Sequence, residues 1–339
     1  MSRRAAAELY GRSGLADLTL KCMGALGSPW LTVLAYHRVC DDAFDPWDRD
    51  IVSATPEMFI RQLQLVTRYF APVTSAHVVD WLGGRASLPR NPVLLTFDDG
   101  YRDNHDIVLP LLLEAGVVAD FFVCPWHIEN RRLFWWDVIS FCVGRCFDER
   151  IALSYPHHLE VELGTPEERV RAKRALLSVV KRSEGLDIPR FVGNLQEEAK
   201  VEFDERQQAD DLLMTWDHVR TLQRAGMGVG SHSYSHPVLP LLGEDEARFE
   251  IEESKGILEK QLGSDVTALA YPVGALGDDI KEMAKRAGYG VAYSYCSGAS
   301  MRRFMDPFEI GRVAVEKHIS MSHFRTLLAT PFLACSPLW

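Results

Sequence analysis

The sequence predicts an α/β chain built on a parallel sheet or barrel and carrying a largely helical insertion. Short apolar runs alternate with stretches of helical period from Leu31 to Val123, and again from Thr215 to Tyr295. Such alternation marks strand–helix–strand units. It lapses between Trp126 and about Asp211. The 339 residues suit one barrel of roughly 250 residues plus an insertion, as well as two domains.

The elements follow in order. "LTVLAY" at 31–36 reads as a buried strand stopping at His37. Thr55-Pro56 opens a helix, a capping residue followed by proline at the first helical position. Phe59, Leu63, Val66 and Phe70 form its apolar face. A short helix is expected at Ser75–Leu82. Pro92–Phe97 is the next strand, and it ends in Asp98-Asp99. His105–Ala115 reads as a helix stopped by Gly116, and Val117–Val123 as a strand. The insertion holds one plausible strand, Ile151–Tyr155, and a Trp- and Phe-rich start, "RRLFWWDVISF", suited to contact with the main domain or to a substrate wall. Beyond it come a helix from Thr215 to Ala225, a glycine-rich entry into "SHSYSH", and a helix at Glu244–Leu262 with Gly263 as its stop. Strand Thr267–Tyr271, helix Asp278–Ala287 and strand Gly290–Tyr295 complete the run. The expected organisation is a helical extension at 1–30, a barrel at 31–125 and 212–320, the insertion at 126–211, and a C-terminal segment at 321–339.

Composition narrows the function classes. A formal charge of −10 argues against nucleic acid as a partner, which demands clustered Lys and Arg. The basic run Arg169–Arg182 follows Thr165-Pro166-Glu167-Glu168, a helix start, and is expected to be a solvated helix face. Seven cysteines, an odd number without a pairing framework, point to reduced thiols and a cytoplasmic setting. Cys142 and Cys146 lack a second ligand pair and read as structural. No run of about 18 apolar residues offers an integral membrane segment. The amphipathic N-terminus leaves a peripheral membrane contact open.

The chemistry gathers at strand ends. His37, Asp98-Asp99, His232 with His236, and Tyr271-Pro272 all stand where predicted strands stop. In α/β barrels such ends meet at one face. Two histidines and a carboxylate make a three-ligand set with open positions for water and substrate. Taken alone, H-x-x-x-H and Asp-Asp-Gly are weak signals, because paired histidines and acidic turns are common.

Together they are specific. "LTFDDGY" at 95–101, "SHSYSH" at 231–236 and "AYPVG" at 270–274 resemble the motifs of the polysaccharide deacetylases, the NodB-homology carbohydrate esterases. The likeness covers roughly residues 30–315. It implies a distorted (β/α) barrel of about seven strands and a divalent metal, usually Zn²⁺. It also implies a carbohydrate substrate bearing an N-acetyl amino sugar. Asp98 would be the general base. Asp99, His232 and His236 would be metal ligands, and the Tyr101 N–H an oxyanion donor. Tyr271 and Pro272 would contact substrate.

Two departures stand out. The third motif usually has an arginine before its proline, where this chain has Ala270 and Tyr271; Arg38 is a candidate replacement. The usual C-terminal acid histidine has only His318 and His323 as candidates. "LTVLAYHRV" resembles the N-terminal Tyr-His segment of the family's permuted branch, so His37 is expected to be the catalytic acid in preference to His318. Hydrolysis of another amide or an O-acetyl ester, or glycan binding without turnover, are the alternative functions.

Overall fold

The computed structural model describes residues 3–28, 30–41, 49–183, 185–295, 299–300 and 305–331. Cys296 and Cys335 lie outside the described residues.

Six parallel strands follow one another around the sheet: β1 (Leu31–Tyr36), β2 (Pro92–Phe97), β3 (Asp120–Val123), β4 (Gly228–Ser231), β5 (Ala268–Ala270) and β6 (Val291–Ser294). Ala71–Pro72 joins β2 in parallel, Ala299–Ser300 joins β1 antiparallel, and two further short strands close the sheet. β7 (Ile310–Gly311) pairs with β6, and β8 (Val313–Ala314) pairs with β1, both in parallel. One segment thus joins the two edges into a nearly closed barrel, with Arg312 at the seam. Taken as a single interrupted strand, 310–314 is the seventh.

Strand alternation sorts the side chains into two layers. Leu31, Val33, Leu94, Phe122, Ala270, Tyr293 and their neighbours form one buried cluster inside the barrel, and Val73 and Val78 join it. The intervening residues, among them Leu34, Tyr36, Phe97, Phe121 and Tyr271, form a larger cluster against the surrounding helices. That outer cluster also takes in Leu20 of helix Leu15–Leu26 and Phe324 of helix Met321–Ala329, so both of these helices pack on the barrel.

Most helices begin and end where the sequence indicates. Thr55 accepts a hydrogen bond from the Met58 N–H, with Pro56 at the first position of Pro56–Tyr69. Gly116 and Gly263 stop their helices at φ 65°, a conformation glycine adopts at little cost. The stretch expected as one helix from His105 begins instead as a π-helical turn, Asn104–Val108, before Leu109–Ala115.

The insertion has a separate core. Phe134, Ile139, Leu153, Leu176, Phe191 and Leu195 belong to a cluster that reaches the barrel through Tyr101, Cys124 and Leu213. Cys142 and Cys146 are free thiols buried in it. The expectation of one strand is corrected: Arg150–Leu153 pairs antiparallel with Leu159–Glu162. The partner strand is overlooked in sequence because Glu160 and Glu162 face solvent and leave little apolar signal.

Candidate active site

The site lies at the C-terminal ends of the barrel strands, where the interior face turns from apolar to charged. Asp98 follows β2, and its N–H donates to the Tyr36 carbonyl at 3.0 Å, extending the ladder with β1. Its side chain is fully buried. Oδ1 accepts from Arg312 Nη1 at 2.8 Å, and Oδ2 accepts from the Tyr295 hydroxyl at 3.1 Å. Burial alone would raise this carboxyl. The Arg312 guanidinium outweighs burial and holds Asp98 well below the usual range.

Asp99 is held differently. It adopts φ 77°, and Gly100 follows at 86°, so the backbone turns sharply out of the strand. A non-glycine residue in this region carries strain. Asp99 Oδ1 lies 3.6 Å from His232 Nε2 and 3.5 Å from His236 Nε2. It is buried without a hydrogen-bond partner. Burial, then the Asp98 and Asp137 carboxylates, push Asp99 well up. The adjacent acids are therefore opposite in state, one held ionised by Arg312 and one driven toward its neutral form.

The histidines are set by a serine-knit turn. Ser231 Oγ accepts from the Ser233 N–H, and Ser233 Oγ accepts from the His236 N–H. Ser233 and His236 both stand at φ 62°, and the turn swings both rings toward Asp99. His232 Nδ1 lies 2.7 Å from the Ala270 carbonyl. That bond fixes the proton on Nδ1 and leaves Nε2 as a lone pair facing Asp99. Burial lowers the pKa of both rings, and His236 falls furthest, so both are neutral.

Asp99, His232 and His236 form a buried group of ligand atoms all within 4.8 Å of one another, a set able to hold a metal ion. The donor types fit one: two neutral imidazoles and an orphaned carboxylate oxygen, spaced beyond hydrogen-bond contact. A second group, His105, Asp106 and His218, is partly exposed, and Arg102 pairs with its Asp106 at 2.8 Å.

His37 continues the interior face of β1. It lines the same cavity as Asp99, His232 and His236, and its Nε2 lies 3.5 Å from the Tyr295 hydroxyl. Burial pushes it down to about 4, against the pull of Asp98. His318 is absent from that lining; it is exposed and pairs with Glu316 at 2.9 Å. The Tyr101 side chain points into the insertion. Its hydroxyl donates to Asp137 at 2.7 Å and accepts from Trp136 Nε1 at 2.8 Å. The bridge between Tyr101 and Leu213 uses the Arg102 N–H and the Gly100 carbonyl, not the Tyr101 N–H.

Three expectations change. Tyr271 and Pro272 are buried, and Tyr271 donates to the Phe308 carbonyl at 3.0 Å on the outer face of the barrel. Neither lines the cavity; Val273 does, at φ 51°. Arg38 does not reach Asp98: it pairs with Asp103 at 2.8 Å. The positive charge beside Asp98 comes from Arg312; neither it nor Tyr295 is among the residues expected at the site. Both carried a signal, since each continues the interior alternation of its strand, Tyr293 to Tyr295 and Ile310 to Arg312.

Residues 85–292 match the family model described as polysaccharide deacetylase. The chain belongs to the polysaccharide deacetylase family. The matched span holds Asp98, Asp99, His232 and His236, while His37 and Arg312 lie outside it. A putative polysaccharide deacetylase of Bacillus subtilis (strain 168), YxkH, is 24% identical over 232 residues, which are 68% of this chain and 54% of that protein. The peptidoglycan-N-acetylmuramic acid deacetylase PdaC of the same organism is 36% identical over 62 residues, 18% of this chain and 13% of PdaC. The chain thus spans about half the length of the first relative and far less of the second. Among solved structures, Streptococcus pyogenes deacetylase PplD in complex with acetate matches with TM-score 0.58 at 18% identity, covering 89% of this chain and 97% of PplD. IcaB from Ammonifex degensii matches with TM-score 0.58 at 19% identity, covering 90% and 98%. These likenesses show the deacetylase fold. Among the described residues, no helix is long and apolar enough to cross a membrane.

Proposed function

We propose that this polysaccharide deacetylase removes N-acetyl groups from an amino-sugar glycan or glycan precursor by metal-assisted amide hydrolysis. One observation carries the reading: Asp98, ion-paired with Arg312, lies 3.8 Å from His232, which with Asp99 and His236 forms a ligand group that lines one cavity. A divalent cation in that group, usually Zn²⁺ in the family, would supply the Lewis acid that polarises the acetyl carbonyl and acidifies the attacking water.

The residues divide the remaining work. Asp98 takes the water's proton as the water oxygen bonds to the acetyl carbon. The Tyr101 N–H donates to the oxyanion that forms. The C–N bond then breaks, acetate leaves, and the amine nitrogen must gain a proton. His37 delivers it. At a pKa of about 4 His37 rests neutral, so it must first be charged with a proton. Tyr295 lies between base and acid, 3.1 Å from Asp98 and 3.5 Å from His37. Once Asp98 is protonated, the phenol accepts that proton and passes its own to His37 Nε2.

The test joins metal analysis to acetate release on a panel of N-acetylated sugars. Asp99→Asn and His232→Ala are expected to lose bound metal. Asp98→Asn and His37→Ala are expected to keep it and lose turnover by at least about a hundredfold. Full activity in Asp98→Asn, or full metal content in Asp99→Asn, overturns the assignments.

A further inference from the structure

The catalytic cavity, about 570 Å³, is walled on one side by the insertion helix Pro166–Arg182. That helix presents Arg174, Leu177, Ser178, Lys181 and Arg182 to the cavity. Their spacing of three, four, seven and eight residues is one helical stripe. Arg171, Arg174 and Arg182 are exposed, as expected of a solvated face, while Arg169 and Lys173 are drawn to other elements. Arg169 caps the carbonyls of Val143 and Cys146, Arg171 pairs with Glu168, and Lys173 pairs with Asp50. Arg174 and Arg182 turn to the cavity and make no ion pair among the described residues. The acids on this wall are already engaged, Asp50 by Lys173 and Glu316 by His318.

A second cavity opens on the other side of His236 and shares Trp135, His236 and Val273 with the first. Its described lining carries Asp187, Asp245, Glu246 and Glu250 and no Lys or Arg. Among the described lining residues, the cationic side chains therefore stand only on the Pro166–Arg182 wall, and the far side carries acids, of which Asp245 is paired with Arg248 and Glu250 accepts from Ser235. A neutral polymer gains nothing from that polarity. A substrate with an anionic group on one side of its N-acetyl sugar is oriented by it.

We propose that Arg174 and Arg182 bind a phosphate of the substrate, making it a phosphorylated N-acetyl amino-sugar conjugate rather than a neutral glycan. Guanidinium forks match phosphate oxygens in pairs. Trp135 and Leu177 beside them offer apolar surface to whatever carrier the phosphate bears. This inference rests on the deacetylase reading above and adds the substrate's charge to it.

The experiment compares metal-loaded wild type with the double variant Arg174→Gln/Arg182→Gln. Substrates are N-acetylglucosamine 1-phosphate and neutral N,N′-diacetylchitobiose. Wild type is expected to favour the phosphate. The double variant is expected to lose about tenfold in kcat/KM on the phosphate alone, mostly through KM. The Arg174→Lys/Arg182→Lys variant is expected to recover part of that loss. A preference for the neutral sugar, or an equal fall on both substrates, overturns the proposal. A nucleotide-linked and a prenyl-phosphate-linked N-acetylglucosamine, run in parallel, identify the carrier. Calorimetric binding of glucosamine 1-phosphate separates the two readings if no substrate turns over. Binding lost in the double variant keeps the phosphate site while the deacetylase reading falls, and equal binding by both proteins removes the phosphate site.

Discussion

Asp98 and Asp99 are adjacent in sequence and opposite in electrostatic state, and Arg312 makes the difference. Without its guanidinium, burial would raise Asp98 as it raises Asp99. Arg312→Met is therefore expected to protonate Asp98 at pH values where it now accepts a proton. The acid limb of the kcat/KM profile should move to higher pH, because a base with a raised pKa becomes competent only further up the scale. Leaving a buried carboxylate without its partner should also cost about 3–5 kcal/mol of stability. Arg312→Lys should recover part of both. A pH–rate profile and a denaturant titration check this; an unmoved acid limb means that Arg312 does not tune the base. At this scale the sequence was legible where motifs are compact. Asp98, Asp99, His232 and His236 sit in two short runs, and the structure brings them together. Arg312 was legible only as a continuation of the alternation through Ile310, not as the partner of Asp98, which lies 214 residues away.

At the scale of elements, the interior of the barrel decides which side chains fit beside the site. β4 faces it with Gly228 and Gly230, and a Cβ on Gly230 would overlap the Phe122 ring. Phe122 in turn lies beneath the Arg312 guanidinium, 5.8 Å from its ring centre. The glycine spacing that reads in sequence only as a glycine-rich entry to "SHSYSH" is, at Gly230, a packing requirement, space for an aromatic ring under the ion pair. Gly230→Ala is expected to cost about 1–3 kcal/mol by overpacking, and to weaken metal retention by displacing the His232 end of the strand. Phe122→Leu in the same chain should relieve part of that cost, since the Ala268 carbonyl, 2.9 Å from such a Cβ, stays in place. Melting curves of the two single variants and the double variant form the cycle that checks it; strictly additive losses would mean that the ring and the glycine are not in conflict. The strand–helix order was legible because buried parallel strands give dense apolar runs. The closing segment 310–314 was not, since each half has only two residues paired, one half to each edge.

Across the whole molecule, barrel and insertion meet at the residue that follows the Asp-Asp-Gly turn. Tyr101 sends its ring into the insertion's core, where Asp137 and Trp136 hold the hydroxyl. The insertion was visible in sequence as a lapse of alternation, but its separate core was not, because its apolar positions are spread over helices and a hairpin with solvent-facing acids. Trp135 and Trp136 also line the cavity, so one aromatic run serves both as contact and as wall. Tyr101→Phe tests that coupling. It removes one donor and one acceptor from a fully buried site and leaves the Trp136 N–H without its oxygen, an expected loss of about 2–3 kcal/mol. The Tyr101 N–H remains, but the ring that fixes its position is held less firmly. Turnover should therefore fall while bound metal stays at the wild-type level, because Asp99, His232 and His236 are untouched. Wild-type melting and wild-type turnover in Tyr101→Phe would mean that the insertion shapes the cavity wall without holding the oxyanion side of the site.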